Sequence, residues 1–320
     1  MEIGYTMMTE QTGPRELVSD LVRAEQVGFD FSVSSDHFFP WLDAQGHAPH
    51  AWTVLGAAAQ ATERIPLMTY VTCPIVRYHP VIVAQMAATM QILSQGRFTL
   101  GLGAGENLNE HVVGGGWPPV NIRHEMFVEA LNIIRELFSG GYVTFRGDHF
   151  DVESAKIWDL PDVPPPIGVA VSGPQSCEIA GILGDLMIAT EPKASLGELF
   201  DAAGGAGKPR IGQLPICYDR DRKAATTRAH EQFRWFSGGW KVNSELPSTA
   251  GFAAASQFVR PEDVAQSIPC GDDVNAVVQA AKEFADAGFT HLALVQIGGG
   301  HQAPFFDWAE SDLLAAVRSL

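Results

Sequence analysis

Three short stretches carry residue types and spacings that could do chemistry. Ser35-Asp36-His37-Phe38-Phe39-Pro40-Trp41 puts an imidazole beside a carboxylate and ahead of aromatic surface. Histidine changes charge near neutral pH, so the pair suits a general base with a wall for an organic substrate. The plainer reading, a satisfied loop histidine, applies to most of the 10 in the chain. Gly101-Leu102-Gly103-Ala104-Gly105-Glu106-Asn107-Leu108-Asn109-Glu110 joins a backbone that a flat ligand could approach closely to a carboxylate, Glu106, and an amide, Asn109. Tight strand-to-helix turns also need glycine, so those residues alone decide little. Val171-Ser172-Gly173-Pro174-Gln175-Ser176 leads small residues into a helix N-terminus, where free N–H groups suit a phosphate as well as they suit an ordinary cap.

Other chemistries lack their residues. His47 and His50 stand three apart with no third ligand close by, so no metal is expected. No G-x-S-x-G elbow marks a hydrolase nucleophile. Cys73, Cys177, Cys217 and Cys270 are too far apart for a metal clip and do not read as a disulfide framework. Trp235 and Trp240 fit a pocket wall and a helix-face core equally well.

The elements that must position these stretches alternate along the chain. Apolar runs expected as strands are Ile3–Met7, Phe29–Ser35, Pro66–Cys73, Arg97–Gly105, Pro166–Ser172, Asp185–Thr190, Pro209–Tyr218 and Phe289–Ile297. Continuous apolar character fits parallel strands covered on both faces. Amphipathic segments at Pro14–Val27, Ala51–Thr62, Val81–Leu93, His124–Phe138, Asp221–Phe236 and Val274–Ala287 lie between them. Eight strands with intervening helices predict a single α/β domain, a (β/α)8 TIM barrel over 1–320. A doubly wound sheet is the runner-up, without the G-x-G-x-x-G loop after its first strand. In a barrel, all three chemical stretches fall at strand C-terminal ends. A hairpin is expected near 142–159 and a lid-like insertion near 243–268.

The 320 residues carry 21 Lys and Arg against 37 Asp and Glu, a formal charge of −16, and 46% are hydrophobic. Such a chain can bury a core, and its acidic field does not attract nucleic acid or a membrane surface. No leader pattern precedes the first strand and no apolar stretch is long enough to span a bilayer, so a cytoplasmic location is expected.

Taken together and in this order, the strand-end loops resemble the luciferase-like flavin and deazaflavin oxidoreductases, in particular the coenzyme F420-dependent glucose-6-phosphate and alcohol dehydrogenases. The matching segments are Glu10-Gln11 with Pro14, Ser35-Asp36-His37-Phe38 with Pro40-Trp41, Thr72-Cys73-Pro74 with Arg77-Tyr78-His79-Pro80, Gly103-Ala104-Gly105-Glu106 with Asn109-Glu110, and Ser172-Gly173-Pro174. The resemblance implies a deazaflavin ring at the strand C-termini, its phosphate at Ser172, Gly173, Gln175 and Ser176, and a non-proline cis peptide at Tyr70-Val71. It implies that Asp36 bonds the ring and that Cys73, Ala104, Gly105 and Asn109 line the cofactor. It makes His37 the base for a hydroxyl proton, Glu106 the acid toward the ring, and Trp41 a stabiliser of the substrate end. Thr190, Lys193 and Lys241 are the implied substrate-binding positions.

Sugar-phosphate members of the branch add an arginine where this chain carries Ser267. Lysines alone grip a dianion less specifically than a bidentate guanidinium does. A sugar phosphate and a neutral alcohol both stay open as the small-molecule substrate, and a homodimer is expected. An FMN-dependent monooxygenase of the same barrel and a non-catalytic deazaflavin-binding protein are the alternatives to an F420-dependent dehydrogenase.

Overall fold

The computed structural model describes residues 1–320. Its strands are β1 (Glu2–Met7), β2 (Phe31–Ser34), β3 (Leu67–Thr69), β4 (Phe98–Leu102), β5 (Val143–Arg146), β6 (Asp151–Ala155), β7 (Ile167–Ala170), β8 (Leu186–Ala189), β9 (Arg210–Ile216) and β10 (His291–Gln296). Eight of them close into a barrel in the order β1-β10-β9-β8-β7-β4-β3-β2. Every ladder of that barrel is parallel, and β1 closes it by pairing Tyr5 with both Leu294 and Ser32. Each expected barrel strand is present; β1 begins one residue before its apolar run, and the other seven are shorter than theirs. The largest trim is at Pro66–Cys73: the ladder stops after Thr69 at the cis peptide Tyr70-Val71 and resumes as a single bridge from Thr72 to Leu102.

Alternation sorts the strand residues into two cores. Ile3, Tyr5 and Met7 point outward into the helical layer. Phe31, Val33, Met68, Leu186, Ile188, Ile211 and Ala293 fill the barrel, with Tyr70, Val71 and Ala170 half-buried on top of that plug. Small residues make room for large ones. A Cβ at Gly4 would stand 2.5 Å from the Phe31 ring.

The helical layer follows the sequence closely. The helix Pro14–Val27 has its expected bounds, with proline in the first turn, Gly28 at φ 96° ending it, and Leu17, Leu21 and Ala24 buried at helical spacing. Burying a leucine this way stabilises the fold by roughly 1.5–3 kcal/mol. The segment expected as Asp221–Phe236 is helical only to Phe233 and continues as a 3-10 turn over Arg234–Gly238. The hairpin is β5 with β6, antiparallel; Glu129 of the helix Val120–Phe138 holds its turn by accepting the N–H groups of Asp148, His149 and Phe150. The expected insertion contains the helices Thr249–Ala255 and Pro261–Ser267, preceded by Trp240–Asn243. No helix is long and apolar enough to cross a membrane.

Gly101 in β4 is held on both sides by Thr69, whose hydroxyl accepts the Gly101 N–H at 3.0 Å and donates to its carbonyl at 2.8 Å. A Cβ there would sit 1.9 Å from the Thr69 carbonyl oxygen, and two paired backbones cannot separate cheaply. Gly101→Ala is therefore expected to cost on the order of 1–3 kcal/mol, read as a lower urea midpoint. An unchanged midpoint would show that the two strands part freely.

Candidate active site

At the C-terminal mouth, His37 Nδ1 lies 3.0 Å from the Phe39 carbonyl. A carbonyl only accepts, so Nδ1 carries the proton and Nε2 is left with a lone pair when the ring is neutral. Nε2 stands 3.6 Å from Glu10 Oε1 and 4.0 Å from Glu106 Oε1, so an imidazolium formed there meets two carboxylates. The Trp41 ring packs 4.8 Å from the imidazole. Its indole N–H donates to Glu10 Oε1 at 3.1 Å. Glu10 also accepts from Ser35 Oγ at 2.5 Å and Thr9 Oγ1 at 3.2 Å, which is how a carboxylate is tolerated in so buried a place. On its other side Trp41 stacks on Trp235, centroids 4.1 Å apart and planes 11° apart, and meets Phe252 of the insertion edge-on.

Beneath this surface is a second layer. Asp36 accepts from Thr72 Oγ1 at 2.6 Å, Trp52 Nε1 at 3.2 Å and an Arg77 guanidinium nitrogen at 3.0 Å, and its side chain has no exposed surface. The same Arg77 nitrogen donates to the Asp36 carbonyl at 2.9 Å. Glu110 accepts the Arg77 N–H at 2.7 Å and has Oε1 3.4 Å from Arg77 Nε. Burial lifts the Glu110 carboxyl to about 7; the Arg77 guanidinium and amide oppose that, and Glu106 and Asp36 add to it. Asn109 Oδ1 accepts the N–H groups of Phe38 at 2.7 Å and Phe39 at 3.0 Å, while its amide nitrogen donates to Glu106. Gly105, at φ 74°, turns the chain where a Cβ would meet Cys73 Sγ at 2.4 Å, so only glycine fits over that thiol.

The structure thus brings Asp36, His37, Trp41, Cys73, Ala104, Gly105, Glu106 and Asn109 to one mouth, with Tyr70 and Val71 forming part of its floor. Asp36 and Asn109 already have protein partners. Three protein donors reach the Asp36 carboxylate. Asn109 is fully buried, and its amide joins two loops. Cys73 is likewise buried against Gly105, and burial raises its thiol well above the usual range.

The other groups follow the later strands and the insertion. After β7, Ser172 and Gly173 donate their N–H groups to Ser176 Oγ at 3.0 and 3.2 Å, ahead of the helix Pro174–Leu183, with Ser172 and Gln175 exposed. After β8, Thr190 is exposed and Lys193 pairs with Glu191 at 2.8 Å, while Lys241 is exposed on the insertion side. His50 accepts the Thr53 N–H as a helix cap, and His47 is exposed. Sequence reasoning gave no role to Glu10, Arg77 or Glu110. The signal for Glu10 is a carboxylate just past the first barrel strand, in the Glu10-Gln11 segment that carries part of the resemblance.

Comparison with known proteins places this geometry. The model of the Bac_luciferase family, described as luciferase-like monooxygenase, matches residues 1–291. An F420-dependent glucose-6-phosphate dehydrogenase of Amycolatopsis mediterranei is 35% identical, covering 100% of this chain and 99% of that one. An F420-dependent hydroxymycolic acid dehydrogenase of Mycobacterium tuberculosis is 35% identical over 98% of this chain and 85% of its own. A solved F420-dependent secondary alcohol dehydrogenase, in complex with an F420-acetone adduct, superposes with a TM-score of 0.90 at 28% identity, covering 99% of each chain.

The raised Glu110 carboxyl has a consequence for stability. Its folded value, about 7, exceeds the ordinary 4.5, so the native state binds the proton more tightly than the unfolded chain. The stabilisation is fully present below pH 4.5 and is lost as pH rises through about 7. Glu110→Gln is expected to flatten the decline of unfolding free energy across that window, measured by urea unfolding at a series of pH values. A decline as steep as in the parent chain would place the proton elsewhere.

Proposed function

Since the chain belongs to the luciferase-like monooxygenase family, we propose from its site and its relatives that it is an F420-dependent dehydrogenase acting on a CH–OH group of an alcohol or sugar phosphate. The observation that carries the chemistry is the His37 tautomer: the Phe39 carbonyl fixes the proton on Nδ1 and leaves Nε2 free as a base at the barrel mouth.

The residues present fit a flat deazaflavin. Tyr70, Val71 and Ala170 form a half-buried apolar floor over the barrel plug, and the turn at Gly103–Gly105 keeps side chains out of the space above it. Gly173, beside which a Cβ would meet nothing within 4 Å, leaves open room at the expected phosphate turn. When bound, the deazaflavin supplies the hydride acceptor. His37 Nε2 takes the hydroxyl proton as the carbinol carbon gives up its hydride, and Glu10, joined by Glu106 once it has released its own proton, stabilises the resulting imidazolium. Glu106 is the carboxyl assigned to hold the second proton at the mouth. Trp41 orients Glu10 through its indole N–H and bounds the substrate space through its ring. Lys193 and Lys241 are the cations available to a phosphorylated substrate, and the 243–268 insertion, whose Phe252 touches Trp41, is read as the lid. A cytoplasmic homodimer belongs to the same reading.

Titration with oxidised F420 and with FMN, followed by cofactor fluorescence, is expected to show micromolar or tighter binding of F420 alone. Preference for FMN, with oxygen consumption, would select the monooxygenase alternative. In the F420 assay His37→Ala is expected to lower kcat about 10²–10⁴-fold while cofactor binding persists. Undiminished turnover in that variant removes His37 from the mechanism.

A further inference from the structure

We propose that Arg77 and Glu110 are positioning residues: a buried cation and its carboxylate that lock the loop carrying His37 to the loop carrying Glu106 and so set the spacing of the two proton-handling groups. The inference rests on the dehydrogenase reading, which gives those two groups their roles.

The geometry is specific. Arg77 lies past β3, between the loops that follow β2 and β4. One guanidinium nitrogen reaches the Asp36 carboxylate and the Asp36 carbonyl, at 3.0 and 2.9 Å, which fixes the backbone immediately before His37. On its other side Glu110 accepts the Arg77 backbone N–H at 2.7 Å, and its Oε1 lies 3.4 Å from Arg77 Nε as an ion pair without a hydrogen bond. Glu110 ends the short helical turn Asn107–Glu110, whose preceding residue is Glu106. Asn109 closes the circuit by tying Glu106 to the backbone at Phe38 and Phe39. Three successive strand-end loops thus meet on one guanidinium that touches none of the reacting groups.

The charge count makes the lock sensitive to a proton. The groups facing Glu110 are Arg77 and the Tyr78 phenol from the loop after β3, Asp36 from the loop after β2, Glu106 from its own turn, and the neutral Cys73 thiol. Two carboxylates share one cation in a place closed to water, so Glu110 keeps its proton into the neutral range. Losing that proton strengthens the grip on Arg77. Turnover should therefore gain with pH through the neutral range from a residue that contacts neither substrate nor cofactor.

The test uses the full chain with F420 and an alcohol or sugar-phosphate substrate on which the parent turns over. Glu110→Gln keeps the shape and one acceptor and removes the charge; Arg77→Lys keeps the charge and removes the second prong. Both are expected to bind F420 as the parent does and to lose about 10–100-fold in kcat, the scale of a misplaced catalytic group. In Glu110→Gln the kcat–pH profile should lose the part of its neutral-range rise that Glu110 contributes, leaving only that of the base. Combined with His37→Ala, the same change should cost little more than His37→Ala alone, because the lock acts through His37. The inference is overturned by a Glu110→Gln enzyme with parental kcat and pH profile, or by losses that multiply fully with His37→Ala. It is equally overturned by a fall in kcat matched by an equal fall in F420 affinity and melting temperature, which marks a residue that only holds the fold. A parent chain that binds no F420 and reduces none overturns the dehydrogenase reading first and this inference with it.

Discussion

Closure of the eight-stranded ladder is the constraint from which the rest follows. Once β1 is paired on both edges, no strand is left to receive a partner, and the interior is small enough for seven side chains to fill it. Phe31 occupies the space that Gly4 leaves empty. Chemistry is displaced to the rim, where every parallel strand delivers its C-terminal loop to the same face. Side chains 25 to 100 residues apart in the chain become neighbours there without any local signal in the sequence.

That face carries an unusual load of buried charge. Glu10, Asp36, Glu110 and Arg77 are all nearly or wholly enclosed, and burying ions is costly even when they pair. An apolar rim of the same volume would serve stability as well or better. The polar arrangement is instead geometrically strict. Each carboxylate has named donors in fixed directions, and every loop that bears a reactive group is tied to its neighbour by at least one of them. Fixed dipoles and charges of this kind need no rearrangement when charge develops beside them, which is their value at a reacting centre.

The sequence made some of this legible and hid the rest for physical reasons. The eight barrel strands showed as continuous apolar runs because both of their faces are covered. Their ends did not, because Tyr70 to Cys73 stay apolar or small after the ladder has broken. His37 was visible from its type and its place after a strand. Asn109 was visible as an amide, but the N–H groups it accepts from are backbone groups 70 and 71 residues away, so its tie between the two loops left no local signal. The grip of Glu110 on Arg77 spans 33 residues, and no periodicity reports a contact of that length. The turn after β7 stood out by its small residues, yet only the folded chain shows that the Ser176 hydroxyl already satisfies two of its amides.

The stacked pair of Trp41 and Trp235 is also an optical unit. Two indoles 4.1 Å apart and nearly parallel share their excited state, and one of them hydrogen-bonds a carboxylate while the other comes from the segment leading into the insertion. Phe252 of the insertion lies edge-on against the Trp41 ring, so a displacement of the insertion changes the surroundings of the pair. Intrinsic tryptophan emission, with no label attached, would carry that change, and stopped-flow traces of the unmodified chain would time it.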